Sequence, residues 1–380
     1  MNQVSEQLLT ANTEGTAQLG DTQSNSRSLT GKEKTMTLEV TKLTASSQRQ
    51  RFTFRPAMME DLEEAVDLFN LCSMHKIGKP GVTFSEVRAE WLLPDFDLET
   101  STRVACAPDG RLIGYIEVWD GEALPVDIWV WGRVHPDYEG LGIGTALMDW
   151  AEERARQAVA KVPDELQVIM RSGSIAGYEP AETLLEDRGM TLIRSFYTMV
   201  LELDQEPPRA KWPLGITVRP TKGLDEARKV FRAVDDAFRD HWGYVEQPFE
   251  QEFERWFHFM KNDEHFDPNL WFLAMDGDEI AGVSLCTRQS REDKNMGWIR
   301  VLGVRRPWRR QGLGLALLHH SFSEFQRLGK ARVGLGVDAS SLTGATRLYE
   351  KAGMKPVRQF DSYRLVLRAG RDISTQQVEE

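Results

Sequence analysis

The chain has 380 residues, of which 41% are apolar and 28% charged, with a formal net charge of -11. This apolar fraction excludes a wholly disordered chain, and no apolar run approaches the ~20 residues that span a bilayer. The acidic balance disfavours general nucleic-acid binding. Three separated cysteines, Cys72, Cys106 and Cys286, and the lack of a secretory signal predict a cytoplasmic location and no Cys-based metal site.

The first part of the chain differs in composition from the rest. Residues 1–50 contain no aromatic residue, no proline and no cysteine. Such a segment buries too little apolar surface to offset the entropy of ordering it, so we predict a disordered extension. A docking or regulatory tail is the alternative.

The remaining sequence is present twice, in the same order. "VHPDYEGLGIGTALMDWA" (134–151) returns as "VRRPWRRQGLGLALLHHS" (304–321), and three further blocks recur at nearly the same offset. A period this long indicates tandem domains, because solenoid repeats run about 20–50 residues. We predict domains at 51–204 and 216–370, a linker at 205–215 rich in proline and charge, and a tail at 371–380.

Each copy alternates between strand and helix patterns in the order β-α-β-β-β-α-β-α-β. In the second copy, "LWFLAMDGDEIAGVSLCTR" predicts a hairpin, and "GWIRVLGV" a strand that ends at Val304. A helix follows from about Gly314. The order predicts an α/β (α+β) fold in which each domain has a mixed, mostly antiparallel sheet with helices on both faces.

The turn between that strand and helix is basic and contains glycines. Its backbone N–H groups should converge on one point beside the positive end of the helix dipole, and Gly312 and Gly314 let an anion approach closely. Arg309 and Arg310 should add positive charge there. These features predict a cradle for a pyrophosphate. The turn is neither a Walker loop nor a dinucleotide fingerprint, since it lacks GK[ST] and G-x-G-x-x-G.

The Arg309-x-x-Gly312-x-Gly314 turn resembles the acetyl-CoA motif of the GNAT superfamily of N-acetyltransferases, and "GATRLYEKAGM" (344–354) resembles its later helix. The resemblance covers both copies and is strongest to tandem two-domain members. It implies an acetyl-CoA-dependent N-acetyltransferase, with acetyl-CoA as co-substrate and no metal. Backbone groups of two strand residues would contact the acetyl and pantetheine part, and seven turn residues would surround the pyrophosphate: Leu302 and Val304, then Arg309, Arg310, Gln311, Gly312, Leu313, Gly314 and Leu315.

The same resemblance implies direct attack of a neutral amine on the thioester. Tyr349 would protonate the departing thiolate, and this is the one residue to which we assign a catalytic role. The strand before the cradle has no glutamate in the place where many relatives have their general base. The candidates are a water relay or one of five residues: Asp235, Asp236, Asp240, His241 and Glu246.

The first copy departs from the motif in two places. Glu139 replaces the basic residue of the cradle, and Leu185 stands where the second copy has Tyr349, although Gly142 and Gly144 remain. A carboxylate facing a pyrophosphate costs ~1–4 kcal/mol. We therefore expect a catalytically degenerate first domain that binds acetyl-CoA weakly or only packs against the second.

The sequence favours an enzyme that acetylates a primary amine of a small molecule, with no nucleic acid and no membrane as partner. The oligomeric state and the acceptor stay open. The alternative is a non-catalytic CoA-binding or interaction protein built on two such domains. Four aromatic residues could line an acceptor pocket, although such residues more often belong to the core: Trp242, Tyr244, Trp256 and Trp271.

Overall fold

A computed structural model describes residues 52–377, so the predicted extension at 1–50 lies outside the described residues. Twelve strands are formed: β1 (Thr53–Arg55), β2 (Thr102–Cys106), β3 (Leu112–Trp119), β4 (Asp127–Val134), β5 (Val168–Ile175), β6 (Thr191–Glu202), β7 (Ile216–Pro220), β8 (Trp271–Asp276), β9 (Glu279–Thr287), β10 (Met296–Val304), β11 (Arg332–Asp338) and β12 (Lys355–Arg368). The α-helices of the same residues are α1 (Leu62–Ile77), α2 (Phe84–Trp91), α3 (Leu98–Ser101), α4 (Ile143–Ala158), α5 (Glu179–Asp187), α6 (Ala227–Phe238), α7 (Phe249–Asn262), α8 (Leu313–Arg327) and α9 (Ala345–Lys351).

The predicted order of elements is confirmed except in one segment of each copy. The β8–β9 hairpin, the end of β10 at Val304 and the start of α8 at Leu313 lie at or within one residue of the predicted positions. The prediction of a single helix after the first strand of each copy is wrong. In the first copy α2 follows α1, and in the second copy α7 follows α6. In α7, Phe249, Phe253, Trp256 and Met260 recur at helical spacing, a pattern that predicts a second amphipathic helix.

All strands belong to one sheet, in the order β1-β2-β3-β4-β5-β12-β6-β11-β10-β9-β8-β7. The two halves have exchanged their last strands. Strand β12, from the end of the chain, pairs with β5 of the first half, whereas β6 of the first half pairs with β11 of the second. The predicted domain boundaries describe the order of the sequence and stay a prediction, since each half of the sheet contains a strand from the other half of the chain.

The exchanged strands are related by an approximate twofold axis. Phe196 and Phe360 are equivalent in the repeat, as are Gly189 and Gly353 at the same offset of 164 residues. Phe196 and Phe360 are also direct partners in the antiparallel pairing of β6 with β12. The duplicated halves are therefore joined through one continuous hydrogen-bond ladder.

Helices cover both faces of the sheet, as predicted. In the first half, α4 and α5 bury Ile143, Leu147 and Leu185 on one face, and α1 and α2 bury Phe69 and Trp91 on the other. In the second half, α8 and α9 lie on one face, and α6 and α7 on the other. No helix of residues 52–377 is long and apolar enough to cross a membrane.

Two neighbouring pairs of strands are parallel, and both separate after a short paired stretch. Strand β10 pairs with β11 from Met296 to Ile299 and then continues unpaired on that side to Val304. Strand β4 likewise pairs with β5 from Asp127 to Trp129. Each half of the sheet thus contains a V-shaped opening that leads to the turn before α8 or α4.

The exchanged pairing can be tested at Gly173 on β5. A Cβ at this residue would lie 2.4 Å from ring carbons of Phe360 and 2.7 Å from the carbonyl oxygen of Asp361 on β12. We expect Gly173→Ala to lower the free energy of unfolding by about 1–3 kcal/mol, the usual range for overpacking. Gly336→Ala on β11 is the matched control, because a Cβ there meets no atom within 4 Å. Equal free energies of unfolding in urea for the Gly173→Ala and Gly336→Ala variants would contradict the pairing of β12 with β5.

Candidate active site

The turn between β10 and α8 has the backbone geometry of an anion-binding loop. Arg310 and Gly312 have positive φ angles of 60° and 87°, and Gly312 caps the helix. The N–H of Ala316 donates to the carbonyl of Gly312 at 3.0 Å. The N–H groups of the helix residues before Ala316 have no acceptor within the helix and lie at the positive end of its dipole. Seven predicted ligand residues follow one another along this turn: Arg309, Arg310, Gln311, Gly312, Leu313, Gly314 and Leu315.

The guanidinium of Arg309 is bound within the protein, a contact that the sequence did not predict; the expectation that its charge lies beside the ligand stays a prediction. Its guanidinium donates to Asp240, to the carbonyl of Val304 at 2.9 Å and to the carbonyl of Ala237 at 3.0 Å. Asp240 is 1% exposed. Hydrogen bonds from Arg306 and Arg309 lower the pKa of its carboxyl to about 2. Arg309 therefore ties the turn to the end of α6.

The two glycines of the motif have different roles. Gly312 needs its positive φ, and a Cβ there would meet no atom within 4 Å. A Cβ on Gly314 would lie 3.0 Å from Leu348 of α9, so this glycine lets α8 pack closely against α9. Gly314 is therefore needed for helix packing, a role that the sequence alone did not distinguish from access for a ligand.

A small cavity of about 30 Å³ lies where β10 and β11 separate. Leu302 and Tyr349 both line it, as the resemblance implies, and His241 and Trp242 form part of its wall. Phe196 also lines it, although this residue comes from the first half of the chain through β6. The strand exchange thus brings both halves to one cavity.

Tyr349 is 6% exposed and lies on α9. Burial raises the pKa of its phenol. The phenol therefore stays protonated at neutral pH and can donate a proton within this cavity.

The structure separates the five candidate bases. Asp240 is ion-paired as described above, Asp236 accepts from Arg305 at 2.6 Å, and Asp235 accepts from the hydroxyl of Tyr244 at 3.0 Å. Glu246 has a side chain that is 78% exposed. His241 is the candidate that lines the cavity, and burial together with the nearby charge of Arg309 lowers its pKa to about 4. Its imidazole is therefore neutral at pH 7 and can accept a proton.

Two arginines beside the cavity were missed by the sequence analysis. Arg300 lies at a bulge on β10, where the pairing with β9 shifts register between Ile299 and Val301. A guanidinium nitrogen of Arg300 lies 3.0 Å from a carboxylate oxygen of Asp263. Arg194 of β6 donates to Asp338 at 2.8 Å and lies 4.8 Å from the ring centre of Trp242. A bulge and an exchanged strand leave no signal in a single sequence.

The four aromatic residues proposed for an acceptor pocket lie in different parts of the fold. Trp256 and Trp271 are each 3% exposed and belong to the core between the sheet and α6–α7. Tyr244 is buried with its hydroxyl on Asp235, so Trp242 is the one of the four that reaches the cavity. Within residues 52–377 no group of three His, Cys, Asp or Glu side chains is arranged to hold a metal ion.

The equivalent opening of the first half contains a larger cavity, of about 400 Å³. Its turn has the same backbone form, with φ of 74° at Gly140 and 80° at Gly142. Glu139 accepts a hydrogen bond from the hydroxyl of Tyr178, and Leu185 lines the cavity in the place of Tyr349. The carboxylate of Glu139 is thus held by the hydroxyl of Tyr178.

Known proteins match this sequence and this architecture. The profile of the Acetyltransferase (GNAT) family matches residues 67–170 and 231–354, one stretch in each half. These stretches cover more than half of the chain, and each includes a turn described above. The chain therefore belongs to the GNAT family and is an N-acetyltransferase.

Its relatives include two-domain enzymes. A mycothiol acetyltransferase of Geodermatophilus obscurus is 30% identical over 264 residues, which cover 66% of this chain and 77% of that protein. The crystal structure of a GCN5-related N-acetyltransferase from Sphaerobacter thermophilus superposes with a TM-score of 0.67 at 36% identity, over 86% of this chain and 99% of that one. A tandem GNAT protein from the clavulanic acid biosynthesis pathway shares the fold, with a TM-score of 0.63 at 15% identity, over 84% of this chain and 100% of that one.

The joint between the cradle and α6 can be tested through Asp240. Asp240→Asn removes the charge that Arg306 and Arg309 share, and we expect the free energy of unfolding to fall by about 1–3 kcal/mol at pH 7. The folded-state pKa of Asp240 is about 2, below the roughly 3.9 of an unfolded aspartate. The advantage of the wild type is therefore present above about pH 4 and is lost as the pH falls towards 2.

Urea unfolding of both proteins at pH 7 and pH 3 measures this difference. Equal stabilities at pH 7 would show that the Asp240 pairs contribute nothing.

Proposed function

We propose that the second half transfers the acetyl group of acetyl-CoA to a primary amine of a small molecule. The observation that carries this proposal is the meeting of three elements at one cavity. The open edge of β10 at Leu302, the side chain of Tyr349 and the neutral imidazole of His241 line one cavity, and β10 leads on from it to the turn before α8. The N–H groups of that turn suit a pyrophosphate.

The chemistry needs no covalent intermediate on the protein. The amine nitrogen attacks the carbonyl carbon of the thioester, a C–N bond forms, and the C–S bond breaks with its electrons going to sulfur. We assign to His241 the proton that leaves the amine nitrogen. We assign to Tyr349 the proton that the thiolate receives. A pKa of about 4 leaves this imidazole unprotonated at neutral pH, so it is free of a proton before the amine attacks.

We propose that the first half is catalytically degenerate, because Leu185 puts no phenol at the position of Tyr349. Its turn and cavity remain suited to a phosphate-bearing ligand. We also propose a cytoplasmic location, since Cys72, Cys106 and Cys286 are free thiols buried in the fold.

The names of the relatives suggest which acceptors to assay first. Besides the mycothiol acetyltransferases, an S-alkylcysteine N-acetyltransferase of Bacillus subtilis is 28% identical over 116 residues, 29% of this chain. The amine panel therefore contains S-methyl-L-cysteine, the amine precursor of mycothiol and unrelated primary amines, with CoA release as the readout. Turnover with no amine of the panel would argue for another acyl group or acceptor class.

The cradle is tested by Gly312→Asp. The substitution places a Cβ and a negative charge at a residue with φ of 87°, where the pyrophosphate would approach. We expect acetyl-CoA turnover to be abolished while the fold is retained. Gly142→Asp in the first half is the matched control, with a similar φ of 80°, and it should leave turnover within a few-fold.

Calorimetry with acetyl-CoA then separates binding from chemistry. An unchanged affinity in the Gly312→Asp variant, or loss of turnover in the Gly142→Asp variant alone, would overturn the assignment of the active half.

The proton donor is tested by Tyr349→Phe. This change removes one oxygen and keeps the buried ring, so stability and acetyl-CoA affinity should change little. Turnover should fall by about 10²–10⁴-fold, the usual contribution of a general acid, and kcat and kcat/KM should fall alike. Leu185→Phe in the first half should leave the rate within a few-fold.

A fully active Tyr349→Phe enzyme would mean that water supplies the proton or that a step other than chemistry limits the rate. The viscosity dependence of kcat distinguishes these two cases.

A further inference from the structure

The loop between α6 and α7, residues 239–248, carries His241 and Trp242 to the cavity. Besides the contacts within the second half, three supports come from outside the predicted second domain. They are the C-terminal segment 371–377, a loop of the first half, and strand β6.

The C-terminal segment is bonded at both of its ends. At its start, the N–H of Arg371 donates to the carbonyl of Glu165 at 2.7 Å. At its end, Thr375 forms a two-bond bridge with the loop. Its carbonyl accepts from the N–H of Gly243 at 2.8 Å, and its N–H donates to the carbonyl of Tyr244 at 2.9 Å.

Two side-chain contacts extend this bridge towards the cavity. The hydroxyl of Thr375 donates to the carbonyl of Arg239 at 3.1 Å. The indole N–H of Trp242 donates to the side-chain oxygen of Gln376 at 2.9 Å. The segment therefore holds the ring of Trp242 as well as the backbone beside it.

The first half supports the same loop from the other side. The side chain of Gln247 accepts from the N–H of Leu124 at 3.1 Å and donates to its carbonyl at 2.9 Å. The guanidinium of Arg194 lies over the ring of Trp242. Asp240, at the base of the loop, is held separately by Arg306 and Arg309. Asp240 thus joins the start of the loop to the cradle, whereas the C-terminal segment holds the loop at Trp242, Gly243 and Tyr244.

We propose that residues 371–377 position the loop 239–248, so that His241 and Trp242 form the acceptor wall of the active site. This inference rests on the proposed function and names Thr375 and Gln376 as positioning residues. Acceptor binding then depends on the C-terminal segment, whereas acetyl-CoA binding at the turn before α8 does not.

The test uses the full chain with Thr375→Pro. Proline removes the N–H that bonds to Tyr244 and restricts the preceding residue, so the bridge is broken. Thr375→Ala is the matched control, because it keeps both backbone bonds. Gln376→Ala is the second variant and releases the indole of Trp242 alone.

We expect amide exchange of residues 239–248 to accelerate about 5- to 30-fold in Thr375→Pro, the factor that the loss of one or two hydrogen bonds gives. The KM for S-methyl-L-cysteine, or for the panel amine with the highest kcat/KM, should rise by a similar factor. The Kd of acetyl-CoA from calorimetry should stay within about twofold. Gln376→Ala should raise the same KM by a smaller factor, and so should Thr375→Ala, which loses only the hydroxyl bond to Arg239.

Unchanged exchange of the loop in Thr375→Pro would overturn the proposed support. Faster exchange with an unchanged KM would show that the loop does not bind the acceptor, which also overturns the proposal. Failure of the proposed function is a different result, since the wild type itself would then release no CoA with any amine.

Discussion

The antiparallel pairing of β6 with β12 joins the two halves, and both openings of the sheet depend on it. Phe196 and Phe360 pair near its centre. On its other side, β6 pairs with β11 of the second half, and β12 pairs with β5 of the first half. Because β6 closes the second half, residues of the first half form part of the candidate active site. The first half, to which we assign no chemistry, is therefore a structural part of the proposed active site in the second half. Under the proposed function, the cavity that takes the acceptor is lined from both halves, since Phe196 belongs to the first.

The strand, turn and helix that form the cradle could be predicted because their determinants are local. An apolar strand, a glycine-containing turn and an amphipathic helix specify the backbone without help from distant residues, and the pattern occurs twice in the chain. The direction of Arg309 could not be predicted in this way, because it depends on Asp240, 69 residues away, and on carbonyls at the end of α6. The left-handed backbone of Arg310 was also hidden, since the first half has a glycine at the equivalent position and the second does not.

The strand exchange could not be predicted from the sequence, for a different reason. The last strands of the two copies are homologous, so each has the apolar pattern that fits the edge of either β5 or β11. Periodicity therefore assigns each strand correctly as a strand but cannot choose its neighbour. The same limit applies to His241: five polar candidates share one segment, and only the packing of α6 and α7 shows which of them reaches the cavity. The contacts of the C-terminal segment depend in turn on where β12 ends.

The exchanged topology also bears on how the protein is made. Strand β12 leaves the ribosome after the whole second half, so β5 has no native partner on its open edge while most of the chain is being synthesised. An unpaired edge strand is a template for association with other chains. Until β12 has been made, β5 therefore exposes an edge to which the strand of another chain can pair.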